Sequence, residues 1–276
     1  VTNKLSKKIL KPKSVLPFKI TKKEAQLEFK KWLSSLWFAP NKLKYYARDE
    51  EGLSGIYIPF WTYDSHTQSD YQGQRGDDYY VTESYTTVED GKTVTKTRQV
   101  RHTRWSYASG HVSDNFDDIL IMASNSLPRK YADLLEPWDL VNLVPYKDEY
   151  LSGFRAESYQ INLENGFELA KEVMYEEICH TIRDDIGGDH QQISNVDTTY
   201  SEITFKHLLL PVWISAYRYG DKVYRFMVNA RTGEVQGERP WSKVKIGIAV
   251  IFGLIIVLTI LYFNRENLVS IISSTR

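Results

Sequence analysis

The fold class this sequence predicts is α+β: two related units, each a helix with an antiparallel sheet, followed by one C-terminal transmembrane helix. Three observations carry it. A stretch with the order apolar, Pro, apolar, Trp occurs twice, as "GIYIPFW" at 55–61 and "HLLLPVW" at 207–213, each time after an amphipathic helical pattern. The aromatic share is 13% with 19 tyrosines, a composition that suits strands better than helical bundles. The stretch "IGIAVIFGLIIVLTILYF", 246–263, contains no charged residue.

The elements follow in order. Residues 1–15 form a lysine-rich start that reads as solvated, flexible chain. From Leu16 to 241 runs the body, with candidate repeat units at 16–125 and 150–240. Thr21 and Glu24 make a capping box, and Ala25, Phe29, Trp32, Leu33 and Leu36 fall on one helical face before Pro40. "GIYIPFWTYDSHTQSDYQG" reads as a strand, with Pro59 placing it at a sheet edge because proline donates nothing to a ladder. "YYVTESYTTVEDGKTVTKTRQVRHTRWSYASGHV" alternates around Asp90-Gly91, a strong hairpin signal. "DNFDDILIMASNSLP" is an apolar strand or short helix, and Pro128 to Leu140 a helix and turn. Phe167, Ala170, Met174, Ile178 and Ile182 stripe a second helix that Gly187 and Gly188 stop. Strands then alternate with turns at Gly220-Asp221 and Arg231 to Gly233.

As a helix, 246–263 covers about 27 Å of hydrocarbon at 1.5 Å per residue. Arg239, Lys243 and Lys245 precede it and only Arg265 and Arg276 follow, so the body is expected in the cytoplasm and the 264–276 tail outside. The absence of a signal-peptide pattern and the single cysteine, Cys179, agree with a reducing compartment. One cysteine also excludes an internal disulfide framework and a cysteine-only metal site. With 35 basic and 35 acidic residues the chain has no general attraction for nucleic acid.

Catalytic patterns are few. Gly91-Lys92-Thr93 ends like a phosphate-binding loop, but Thr86 stands where its first glycine belongs and the context is a hairpin. Cys179 and His180 point about 100° apart on a helix and share no metal; packing for one and solvent for the other is expected. Asp184, Asp185, Asp189 and His190 read either as a solvated polar loop or as oxygen ligands for a cation. Asp64 and His66 are the one pair from which a general base could be built, with no nucleophile motif beside it. The residues singled out for architecture or interaction are Pro59, Trp61, Tyr63, Pro211, Trp213 and Tyr217. Three readings of this pair stand: a duplicated unit, coincidence, or rings that stack on a ligand.

The stretches "LPFKITKKEAQLEFKKWLSSLWFAPNKL", "YLSGFRAESY" and "LLLPVWISAYRYGDKVYRFMVNARTGEVQGERP", with the first Pro-Trp strand, resemble a bacterial family of membrane-anchored proteins with an N-terminal zinc ribbon. Its members carry labels such as primosomal protein N-prime-like, helicase-like or transcription-factor-IIB-type zinc finger protein. The resemblance covers Leu16 to the membrane span. It implies zinc in a ribbon that this chain cannot hold, so the ribbon is expected before Val1 or lost, and no cofactor is expected in the chain itself. It also implies a scaffold role with membrane-stress or phage-shock partners. "VYRFMVNARTGEVQGERP" resembles the closing hairpin of small peptidase-propeptide-type modules. The expectation is therefore a non-catalytic, membrane-tethered adaptor with an unidentified protein partner. The alternatives are a nucleic-acid-associated protein of primosome or transcription type and an enzyme using Asp64 and His66.

Overall fold

The computed structural model describes residues 10–43, 52–89 and 92–263. Most of the lysine-rich start, the Asp90-Gly91 turn and the 264–276 tail lie outside the described residues. In chain order the elements are β1 (Ser14–Val15), α1 (Lys22–Ser35), β2 (Ser54–Glu89), β3 (Lys92–Met122), α2 (Arg129–Ala132), β4 (Val144–Pro145), β5 (Arg155–Ala156), α3 (Leu163–Ile186), β6 (His190–Tyr219), β7 (Lys222–Asn229), β8 (Val235–Gly237) and α4 (Lys243–Phe263). The class is α+β. Hydrogen-bonded neighbours run β3-β2-β6-β1-β4, with β5 joining β2, β7 joining β6 and β8 closing on β7.

The chain parts into two compact units, each assembled from separated stretches. The first comprises residues 1–68, 113–178 and 199–241 and holds both Pro-Trp segments. The second comprises residues 69–112, 179–198 and 242–276.

Within the first unit the two repeats correspond bond for bond, and their helices are exchanged. β1 pairs in parallel with β6 at Leu208 and Leu209, and β5 pairs in parallel with β2 at Ile56 and Tyr57. The Leu16 amide then donates to Leu209 at 2.9 Å, and the Glu157 amide to Tyr57 at 3.0 Å. At the next step the prolines act. Ala230 donates to the Pro211 carbonyl at 3.1 Å and Ala123 to the Pro59 carbonyl at 2.9 Å, but neither proline has an N–H to return. The Ala230 carbonyl instead takes the amides of Lys19 and Ile20 at 3.0 and 2.9 Å, and the Ala123 carbonyl those of Gln160 and Ile161 at 2.7 and 3.1 Å.

The indoles complete each lock. Trp213 Nε1 donates to the Ile20 carbonyl at 2.8 Å, and Trp61 Nε1 to the Ile161 carbonyl at 2.9 Å. One residue later each helix is capped: the Glu24 amide donates to the Thr21 hydroxyl, the Asn165 amide to the Asn162 side chain. Phe18 and Tyr159, two residues ahead of those isoleucines, each lie 5.1 Å from the tryptophan of the opposite repeat. The helix that precedes one Pro-Trp strand in sequence therefore docks beside the other.

Two expectations are corrected. Pro59 does not mark an edge, because β2 has neighbours on both sides, and its missing donor is used inside the sheet. The sheet is mixed rather than purely antiparallel, because the short leaders β1 and β5 enter in parallel. The "DNFDDILIM" stretch is strand, and Pro128 to Leu140 condenses to α2, a 3₁₀ turn at Asp133–Leu135 and irregular chain.

The cores follow from the exchange. Ala25, Phe29 and Leu33 of α1 pack with Trp213, Phe226, Val228 and Val235, and the Phe29 and Phe226 rings stack at 3.5 Å. In α3, Ala170, Met174 and Ile178 are fully buried. Gly166 stands where Ala25 stands in α1, since any Cβ there would strike the Tyr63 hydroxyl and the Trp61 ring. Ile56, Ile58, Phe60, Leu208, Leu210 and Val212 form a second layer with Leu135 and Met122.

In the second unit, Tyr71 donates to Asp185 at 2.5 Å, and burial together with that carboxylate pushes its phenol up to about 12. Gly110 admits this pair because an added Cβ would come 2.7 Å from the Tyr71 oxygen. Gly187 and Gly188, with φ of 63° and 76°, end α3 as expected. The Asp189 amide donates to the Gly76 carbonyl at 2.9 Å. α4 is 0% buried with a mean hydropathy of 2.8 over Lys243–Tyr262, one helix long and apolar enough to cross a membrane.

Trp61→Ala and Trp213→Ala should each destabilise the body by about 3–5 kcal/mol. By hydrogen exchange, Trp61→Ala should loosen the first turn of α3 and Trp213→Ala that of α1. Loosening of the helix nearest in sequence instead would overturn the exchanged packing.

Candidate functional site

The six residues expected to serve architecture or interaction lie inside the first unit. Trp61 is 0% and Trp213 8% exposed, and Tyr63 and Tyr217 are buried as well. Their polar atoms are already occupied: Tyr63 donates to the Leu163 carbonyl at 2.7 Å and Tyr217 to the Glu238 carbonyl at 2.9 Å. Burial raises both phenols well above the ordinary tyrosine value. Pro59 and Pro211 free the alanine carbonyls described above. Of the three readings of the Pro-Trp pair, these bonds match the duplicated unit, and no face of either indole is presented to a ligand.

Beyond Trp61, side chains of alternate residues on β2 and β3 share a polar face. Asp64 accepts from the Thr204 hydroxyl at 2.6 Å and from the Asp118 amide at 2.9 Å. Lys206 Nζ stands 2.9 Å from Asp118 and 3.8 Å from Asp64. Partial burial opposes ionisation of Asp64, but the Thr204 and Asp118 donors and the lysine outweigh it and hold the carboxyl below its usual range. Asp118 raises Lys206 in turn. Asp117 completes a group of three carboxylates whose oxygens lie within 4.8 Å of one another, the spacing a cation would need. The Lys206 ammonium already sits against two of the three.

His66 lies on the same face, and its partners come from β3. Its Nδ1–H donates to the Asn115 side-chain oxygen at 2.7 Å, which leaves Nε2 as the acceptor, 3.5 Å from the Ser113 hydroxyl. Hydroxyl, imidazole and orienting amide thus stand in the order a nucleophile, its base and the group that fixes the tautomer require. Ser113 and Asn115 are exposed residues of β3. Neither residue figures in the sequence reading, where the only trace is their spacing of two on a strand far from His66.

His207 is buried between Trp61 and Tyr159, with ring centroids 4.7 and 5.5 Å away. Its Nδ1–H donates to the Leu10 carbonyl at 2.9 Å, and its Nε2 is buried with no hydrogen-bond partner among the described residues. Burial lowers its pKa despite that bond. Gly55 takes the equivalent place in the other repeat, and there Phe154 fills the space, 3.9 Å from Phe18 in a stack.

In the second unit the residues weighed as cation ligands have other work. Asp185 holds Tyr71, Asp189 accepts from the Asp78 amide at 2.7 Å, and His190 Nε2 lies 3.1 Å from Asp78. Asp78 also accepts from Thr103 and faces Arg101, and these partners, Thr103 first, hold it below the ordinary carboxylate value. Asp184 has no place in that set. Cys179 is buried and His180 exposed, as expected. Lys92 and Thr93 lie within β3, and Gly91 lies outside the described residues.

No family model matches the chain, and no solved structure matches it. It is similar to an uncharacterized protein of Bacillus subtilis (strain 168), YdjG, with 28% identity over 245 residues. The match takes in 86% of this chain and 66% of that protein, so the chain spans slightly less than two thirds of the length of the curated relative it matches.

The lowered pKa of His207 makes a prediction with a definite sign. The buried imidazole is neutral, so its contribution to stability is complete above about pH 6.5 and is lost as pH falls through its folded value. The lowered carboxylates Asp64 and Asp78 act only below about pH 4. Denaturation midpoints should therefore fall between neutral pH and about pH 5 in the wild type, and His207→Gln should flatten that fall. An unchanged slope in the variant would show that His207 is not the group responsible.

Proposed function

We propose that the chain is a non-catalytic, membrane-tethered adaptor, with α4 spanning the cytoplasmic membrane of a bacterium and the body on the cytoplasmic side. The observation that carries the reading is α4 itself, a long apolar helix with no buried face, joined to a body whose aromatic framework is consumed by its own packing. Trp241 just before α4 and Tyr262 near its end supply the aromatic residues that favour the two interfaces. Arg239, Lys243 and Lys245 set the orientation. Similarity to a Bacillus protein supports the bacterial setting, and the zinc-ribbon resemblance supports a scaffold role in membrane-stress assemblies. Membrane fractionation tests the tether: the full chain should stay in membranes through alkaline extraction, and replacing 246–263 with a polar helix should release it. A cysteine at Ser274 should react with a membrane-impermeant reagent in intact cells. Labelling only after lysis would reverse the topology.

A second reading, hydrolytic acyl transfer, rests on Ser113, His66 and Asn115. A serine-directed fluorophosphonate decides between the two. Under the adaptor reading the purified chain stays unlabelled. Labelling that disappears in both Ser113→Ala and His66→Ala would replace the adaptor reading with the enzymatic one.

A further inference from the structure

We infer that the Trp37-Phe38 turn at the end of α1, together with Trp241, is seated in the phospholipid headgroup layer of the membrane that α4 enters, so that the body is held there at a second point besides α4. Of the seven tryptophans, the two most exposed are Trp37 at 79% and Trp241 at 55%, ahead of Trp105 on the β2–β3 arm at 40%. The turn forces this exposure. Leu36 and Ala39 are buried in the core with Phe29 and Leu43, and the Ala39 amide donates to the Leu36 carbonyl at 3.1 Å, so the two residues between them are held outward. Phe38 lies 6.4 Å from the Trp241 ring, and the Arg239 guanidinium 4.5 Å from the same ring. One exposed aromatic strip thus joins the end of α1 to the residue just before Ser242 and Lys243, where α4 begins. A single exposed ring needs no explanation, whereas contiguous ones mark a contact.

Chain continuity names the occupant. The step from Trp241 to Lys243 spans at most about 7 Å, and the headgroup layer on each side of the hydrocarbon is about 5–7 Å deep. With α4 across the membrane, Trp241 stands at that layer, and Phe38, lying against it, carries the turn to the same level. Indoles favour this level, because the ring is apolar while its N–H meets water or phosphate. Charge agrees with the placement. From Phe29 to Leu43 and from Arg239 to Phe263 the sequence contains no Asp or Glu. The flanking acids are engaged elsewhere: Glu28 is held by Lys31 at 2.7 Å, and Glu238 accepts from the Arg225 amide at 3.2 Å. Arg239 and Lys42, both exposed, are left to meet lipid phosphate. The inference rests on the membrane tether proposed above and adds a second contact to it.

The test uses the full chain reconstituted in vesicles whose phosphatidylcholine carries a nitroxide on the headgroup, with tryptophan emission as the readout. Trp37→Ser and Trp241→Ser both fall at exposed positions outside the core, so the fold stays intact. Each should remove about half of the emission that the nitroxide quenches, because these two indoles are the ones seated among headgroups. Equal quenching in the wild type and in Trp37→Ser, with the chain retained through alkaline extraction, would overturn this inference and leave the tether standing. Loss of the chain on extraction would overturn the tether and, with it, the second contact. Shielding of Trp37 from aqueous acrylamide without lipid quenching, present only at high protein-to-lipid ratio, would instead assign the turn to a contact between two copies of the chain.

Discussion

A missing hydrogen determines how the first unit is put together. At Pro59 and Pro211 an antiparallel pair loses one of its two bonds, so the carbonyl of the residue just past the end of β3 or β7, Ala123 or Ala230, is left with no donor from the proline. Buried carbonyls are costly to leave bare, and each is satisfied by two successive amides of a chain leader arriving from the other repeat. Those amides belong to the residues just before a helix. The proline therefore fixes where that helix begins, and the tryptophan two residues on fixes it again by donating to the leader's isoleucine carbonyl. Capping by Thr21 or Asn162 follows with the first turn already in place.

This lock accounts for the exchange of helices. Each repeat supplies a helix and a Pro-Trp strand, yet the leader of one engages the strand of the other, so neither repeat can complete its own core. Phe29 stacks on Phe226 from the far end of the chain, and Gly166 yields to Tyr63 and Trp61 from a strand about 100 residues earlier. Stability gained this way is non-local, which ties folding of the first helix to synthesis of the last strands. The departures from symmetry are correspondingly specific. Where one half has Gly55 filled by Phe154, the other places His207, a titratable ring in an aromatic slot.

Much of this was legible in the sequence, and the remainder was not for physical reasons. The repeated Pro-Trp motif, the Thr21 capping box, the α3 stripe and the apolar span each announce themselves locally, because capping, periodicity and hydropathy are properties of neighbouring residues. Crossing of the helices is not local. A tandem arrangement and an exchanged one have the same sequence pattern, and only the Trp61 to Ile161 and Trp213 to Ile20 bonds distinguish them. The proline rule pointed to an edge because it counts the lost donor without asking who receives the freed acceptor. Asp64 and His66 stood out through their chemistry, whereas Thr204, Lys206, Ser113 and Asn115 lie on other strands and join them only through pairing.

The same limit applies to charge. Read as composition, the arm is balanced, and its acids would argue against any anionic partner. Strand geometry resolves what composition averages: Asp78 is turned to one side with Arg101, Thr103 and His190, while Glu83 stands on the other with Arg98. The large aromatics that hold the first unit together lie outside the arm, and the arm's own Tyr79, Tyr80 and Tyr85 stay at its surface, so the arm's stability rests on strand pairing and on bonds between side chains such as those around Asp78.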